Sequence, residues 1–110
     1  MITICNLRKQ KPTEIYDVKV DRTSVLGNPF YMKDESLRDN VCNKYQMYFD
    51  KQLKDAETSE TVFSQSFKNE LCNLLKLYKE YGKLRLFCWC SPKRCHAETI
   101  KKWLEETMRI

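Results

Sequence analysis

A short apolar strand pattern set between two amphipathic helix patterns leaves a chain few ways to fold, and this chain carries one at residues 84–96, LRLFCWCSPKRCH. Leu84, Leu86, Cys88 and Cys90 alternate with Arg85, Phe87 and Trp89, the two-residue period of a strand with different side chains on its faces. Ser91 and Pro92 then read as a helix cap followed by proline at the first helical position, where a missing N–H costs nothing. Ala97, Ile100, Trp103, Leu104 and Met108 continue at helical spacing. Upstream, Phe67, Leu71, Leu74, Leu75 and Tyr78 stripe a helix over about residues 64–81, which Gly82 stops. An apolar strand entered from one helix and left into another is the signature of an α/β layer whose sheet is at least partly parallel.

The rest of the chain fits that frame. Residues 1–7 alternate Ile2 and Ile4 with Thr3 and Cys5 and read as a first strand. After a polar connection ending at Pro12, residues 14–20 place Tyr16, Val18 and Val20 on one face of a second strand. The two strands either form a hairpin or lie further apart in one sheet. A helix begins at Asp34 or Ser36, with Ser36 and Asp39 spaced as a capping box and Leu37, Val41, Tyr45, Tyr48, Phe49 and Leu53 facing inward. Residues 54–61, KDAETSET, form a polar break before the next helix. The order β, β, α, α, β, α over residues 1–110 predicts a single domain, a small Rossmann-like sandwich with a partly parallel sheet and about three helices.

Composition narrows the setting. With 42% hydrophobic and 32% charged residues the chain reads as a globular protein, and no apolar run has the length of a membrane span or of a secretion signal. A cytoplasmic location and no membrane partner are expected. The net charge of +5 is dispersed through mixed-sign helices, so nucleic acid is a weaker expectation than a small anion. Cys5, Cys42 and Cys72 stand singly in apolar patterns and read as core residues. Cys88, Cys90 and Cys95 cluster beside His96, the sole histidine.

Two segments carry candidate chemistry. In DRTSVLGNPF, residues 21–30, Gly27, Asn28 and Pro29 specify a rigid turn able to aim N–H groups and the Asn28 amide at a ligand; the plain alternative is a connection that seats Phe30 in the core. The second segment admits three readings. As a metal site, Cys88, Cys90, Cys95 and His96 offer zinc-type ligands, but the C-x-C-x4-C-H spacing lacks the usual C-x2-C knuckle and makes one closed site awkward, so zinc is the lesser expectation. As an anion site, Lys93 and Arg94 fall at a helix N-terminus, where cations are locally unfavourable unless an anion arrives. As a nucleophile, Cys95 at that helix start has a lowered thiol pKa, with His96 as its base or acid.

With both motifs in view, the chain resembles a family of small domains of unknown function common in phages and bacteria. Its members join an upstream arginine and serine, a GNPF turn, a helix bearing a tyrosine, and a terminal CWC-x-P-x-x-CH strand-turn-helix. The resemblance runs over about residues 18–104 and matches at Arg22, Ser24, Gly27, Asn28, Pro29, Phe30, Tyr45, Cys88, Trp89, Cys90, Pro92, Cys95 and His96. The chain departs at Asp21 and Thr23, where many relatives have glycine and proline, and at Leu26, where they have an aromatic residue. The family's phage setting implies a bacterial host cytoplasm and roles in nucleotide metabolism, DNA modification or interference with host defence. The expectation from the residues is a crevice between the GNPF turn and the CWC-to-CH junction that binds a nucleotide or nucleotide-derived phosphate ligand. Arg22, Ser24, Gly27, Asn28, Lys93 and Arg94 would hold it, and Cys95 and His96 would line a recognising or reacting end, where processing would be transfer or hydrolysis at a glycosidic or phosphate bond. A zinc-supported interaction module without catalysis is the alternative.

Overall fold

The computed structural model describes residues 1–58, 61–90 and 93–108. Strands β1 (Ile2–Asn6), β2 (Asp17–Lys19) and β3 (Leu84–Cys88) form one sheet in the order β1-β3-β2, with both pairings parallel. Helices α1 (Arg38–Glu57), α2 (Val62–Tyr81) and α3 (Ala97–Met108) complete a small α/β domain, and a 3-10 turn, Glu35–Leu37, leads into α1. No helix among the described residues is long and apolar enough to cross a membrane.

The expected partly parallel sheet is wholly parallel. β1 and β2 are not a hairpin, because β3, the most apolar strand, sits between them and is buried along most of its length. The register aligns Ile2 with Leu84, Ile4 with Leu86 and Val18 with Leu86, so these residues share one face with Cys88. That face meets Tyr45 and Phe49 of α1, Phe67, Leu71 and Leu74 of α2, and Ile100 and Leu104 of α3 in a single core. Each fully buried Leu, Ile or Phe there is worth about 1.5–3 kcal/mol over exposure. The aromatic stripe of α1 is core, as its spacing implied: Phe49 and Phe67 meet edge to face at 5.5 Å, and Tyr48 and Phe67 at 5.9 Å.

Local chemistry moved several element ends. β2 spans three residues where the alternation suggested seven (residues 14–20), because the Asp17 carboxylate accepts the Thr13 and Glu14 amides at 2.8 and 2.9 Å and curls the chain ahead of the strand. The predicted Ser36–Asp39 capping box is replaced by Asp34, whose carboxylate accepts the Ser36 amide; Leu37 then faces solvent. The polar break is shorter than its composition suggested. α1 runs on to Glu57, with Lys51 and Asp55 paired at 2.7 Å on one face and Ala56 buried on the other. Thr61 caps α2 through the Ser64 amide at 2.9 Å, and Gly82 ends it in the left-handed conformation at φ 72°.

On the sheet's second face an ion pair ties β3 to β2. Arg85 of β3 donates Nε and Nη2 to the two Asp17 oxygens at 2.6 and 2.7 Å, and its guanidinium lies 5.5 Å from the Phe87 ring centre. Burial opposes ionisation of Asp17, but the bonds from Arg85, Glu14 and Thr13 prevail and hold its carboxyl at about 2. Because that value lies below the ordinary one near 4, the stabilisation is complete above about pH 4 and is lost as pH falls toward 2. Asp17→Asn is expected to cost about 2 kcal/mol or more at pH 7 and to flatten the loss of stability between pH 4 and 2, as read by urea unfolding across that range.

Candidate functional site

The loop from Val20 to Phe30 folds back on itself before it meets anything else. Ser24 donates its amide to the Asp21 carbonyl and Gly27 its amide to the Ser24 carbonyl, both at 2.9 Å, while the Ser24 hydroxyl accepts the Leu26 amide at 3.1 Å. Gly27 is required by this closeness: a Cβ there would stand 2.4 Å from the Asp21 carbonyl oxygen and 2.7 Å from the Arg22 Cα. Leu26, fully buried, is the residue the turn seats in the core; Phe30, expected there, is half-buried edge to face on Tyr48. Asn28 spends its side-chain oxygen on the Phe30 amide at 2.9 Å, which leaves its NH2 group as the part available to a ligand.

Three side chains fasten this loop to the rest. Tyr45 donates its hydroxyl to the Leu26 carbonyl at 2.6 Å. Trp89 donates its indole N–H to the Asp21 carboxylate at 3.1 Å. His96 binds the Val20 carbonyl through Nε2. Burial would raise the Asp21 pKa, yet the bonds from Thr23 and Trp89 outweigh it and keep the carboxyl below its ordinary value. His96, 8% exposed, is pushed the other way from an ordinary imidazole: burial lowers its pKa and keeps the ring neutral.

The junction after β3 differs from its sequence reading. The Ser91–Pro92 cap falls outside the described residues, and α3 begins at Ala97. Ahead of it Cys95 and Glu98 bond reciprocally: the Glu98 carboxylate accepts the Cys95 amide at 3.2 Å and the Cys95 carbonyl accepts the Glu98 amide at 3.1 Å. Lys93 and Arg94 therefore precede the helix and do not crowd its first turn. Lys93 pairs with Glu35 at 3.2 Å; Arg94 bonds Asp39 at 3.0 Å and Asn43 at 2.9 Å on α1.

Cys95 is also corrected as a nucleophile. Its sulfur lies 3.2 Å from that of Cys88, and this contact together with burial pushes its thiol pKa far up, the reverse of an activated thiolate. Nor do Cys88, Cys90, Cys95 and His96 assemble as metal ligands: among the described residues no three Cys, His, Asp or Glu side chains are placed to hold an ion. His96 cannot act on the Cys95 thiol through Nε2, which is committed to Val20.

Between the loop and the junction lies a pocket of about 580 Å³. Of the residues expected at a site, Arg22, Asn28, Cys90, Arg94, Cys95 and His96 line it. Ser24 and Gly27 border a second hollow that shares Arg22 and Asn28 with the first, Lys93 lines a third, and Cys88 is in the core. Residues not singled out as site residues complete the wall: Arg38 from the first turn of α1, and the rings of Tyr31 and Trp89, 71% and 50% exposed. Arg38 grips Glu35 with two bonds of 2.7 and 2.8 Å, donates to the Arg94 carbonyl at 2.8 Å, and lies within hydrogen-bond reach of the Cys90 thiol. Its signal was in the sequence, a cation in the first turn of a helix, the same anomaly read at Lys93 and Arg94. Arg22 stands apart: it donates to the Phe30 carbonyl at 3.1 Å and lies 5.7 Å from the Tyr31 ring centre, with no carboxylate partner among the described residues.

Compared with known proteins, residues 5–106 match the family model described as a domain of unknown function, DUF4326. No curated protein matches the chain, and no solved structure does.

The packing makes two expectations. Gly27→Ala forces the turn off the Asp21–Arg22 backbone, and should cost about 1–3 kcal/mol, lower Tm by several degrees and alter Trp89 fluorescence. Brief alkylation of the native protein should label half-buried Cys90 ahead of buried Cys88 and Cys95, with all three reacting alike once denatured; equal native rates by peptide mass mapping would contradict the arrangement.

Proposed function

The chain belongs to the DUF4326 family, which lends no activity to carry over, and we propose that it binds a nucleotide or nucleotide-derived phosphate ligand in the pocket between the Val20–Phe30 loop and the β3–α3 junction. One observation carries the reading. Arg22 is a guanidinium without a carboxylate partner among the described residues, and it stands beside an exposed aromatic ring on a pocket large enough for a small molecule. A nucleotide has the matching halves, an anionic phosphate and a flat base.

In this reading Arg22 meets the phosphate. Arg38 and Arg94 add positive potential, since their carboxylate partners Glu35 and Asp39 are solvent-exposed and an incoming phosphate can share those guanidiniums. Tyr31 or Trp89 offers a face to the base, and the Asn28 NH2 group contacts base or sugar. The proposal is for binding: Cys95 is buried against the Cys88 sulfur at 3.2 Å, surroundings that favour its thiol over the thiolate. The cytoplasm of a bacterial host is the proposed setting, in keeping with cysteines that form no disulfide among the described residues.

Thermal-shift and calorimetric titration with AMP, ADP, cyclic nucleotides and ADP-ribose test this, with adenosine as the phosphate-free control. The phosphate-bearing compounds should raise Tm and adenosine should do so much less. Arg22→Ala should weaken binding by about tenfold to a hundredfold, the loss of one charge-assisted bond, with little change in unliganded stability. No binding by any of them at millimolar concentration would end the proposal.

A further inference from the structure

The His96 ring makes one hydrogen bond among the described residues, and the identity of its partner decides what the rest of the ring can do. A backbone carbonyl only accepts, so Nε2 carries the proton it gives to Val20. A neutral imidazole has one N–H, and the ring is 8% exposed, in surroundings that disfavour a second proton. Nδ1 is therefore a lone pair. It is not sealed inside the protein, since no buried side-chain nitrogen or oxygen among the described residues lacks a partner, and His96 lines the pocket. The ring cannot easily turn to hide it. Tyr45 packs edge to face against His96 at 5.0 Å and is itself held by the Leu26 carbonyl at 2.6 Å.

Resting on the nucleotide reading of the pocket, we propose that His96 is a specificity-determining residue, a fixed acceptor at Nδ1 that selects ligands presenting an N–H or O–H group and rejects those that place an acceptor or anion there. This divides the labour among the pocket's side chains. Arg22 and the Asn28 NH2 group are donors only, so they match phosphate and carbonyl oxygens, whereas His96 matches the exocyclic amine of a base or a ribose hydroxyl. A site that buries an acceptor discriminates strongly, because a ligand lacking the donor leaves the acceptor unpaired.

Two measurements test it. In the free protein at pH 7, long-range proton–nitrogen NMR of the imidazole should show Nε2 protonated and Nδ1 bare; the opposite tautomer or a doubly protonated ring would overturn the inference. AMP is then compared with purine riboside 5′-monophosphate, 2′-deoxy-AMP and 3′-deoxy-AMP, each lacking one donor. One analogue should bind at least about tenfold more weakly than AMP, and AMP but not that analogue should shift the Nδ1 resonance in the direction of an accepted hydrogen bond. In His96→Gln the difference between AMP and that analogue should disappear; if this variant does not fold, the analogue series and the nitrogen spectrum decide without it. Equal binding of all four with an unmoved Nδ1 resonance removes the role of His96 and leaves the phosphate reading standing. No binding by any of the four, together with the wider nucleotide panel, removes both.

Discussion

The hydrogen bond from His96 Nε2 to the Val20 carbonyl joins residues 76 positions apart and is the tie on which the site depends. It fastens the end of β2 to the start of α3, and the pocket is the space left between them. Buried, it is electrostatically stronger than it would be in water, and either group left alone there would carry an uncompensated desolvation cost. Trp89 on Asp21 and Tyr45 on Leu26 fix the same loop from two other directions, so three elements position it. A loop restrained this way can hold Arg22 and Asn28 at set positions without the entropy cost that a free loop pays on binding a ligand.

Much of what looks like a site in the sequence is thus spent on holding the site. Ser24 and Gly27 shape the turn, Asn28 gives half its amide to it, and Tyr45, Trp89 and one nitrogen of His96 anchor it. Cys95 and Cys88 pack against each other in the core. What is left over for a ligand is short: the Arg22 guanidinium, the Asn28 NH2 group, His96 Nδ1 and the exposed rings, beside Arg38 and Arg94, which are shared with Glu35 and Asp39. Asp21 and Thr23, where this chain departs from the pattern it resembles, form a bonded pair whose Asp21 carboxylate receives the Trp89 indole, so the departure falls on an anchor that also lines the pocket.

The fold was legible where periodicity is strong. The α2 stripe and Gly82 as a stop appear in the structure because burial and a left-handed cap leave little choice. The β3 pattern read through Cys90 forms a strand only to Cys88 and is buried at Phe87 as well as Leu86 and Cys88. Strand order was not legible, since nothing in residues 1–20 records that both strands await a third partner more than sixty residues later. A helix start was misread where a side chain competed with the expected cap, as Asp34 did for Ser36. The meeting of the two motifs could be inferred from their chemistry, but Arg38 could not be placed at the pocket, because its contribution depends on how α1 crosses the junction.

A parallel sheet whose middle strand comes last in the chain also sets a schedule for its making. β1 and β2 are each hydrogen-bonded to β3 and not to each other, so neither has a ladder partner until residues 84–88 have left the ribosome. The helical hairpin of α1 and α2 can form from local contacts during synthesis, whereas the sheet, the tethered loop and the pocket can close only once β3 and the residues leading into α3 have been made. A nascent chain stalled before β3 would hold two unpaired strand edges and no pocket.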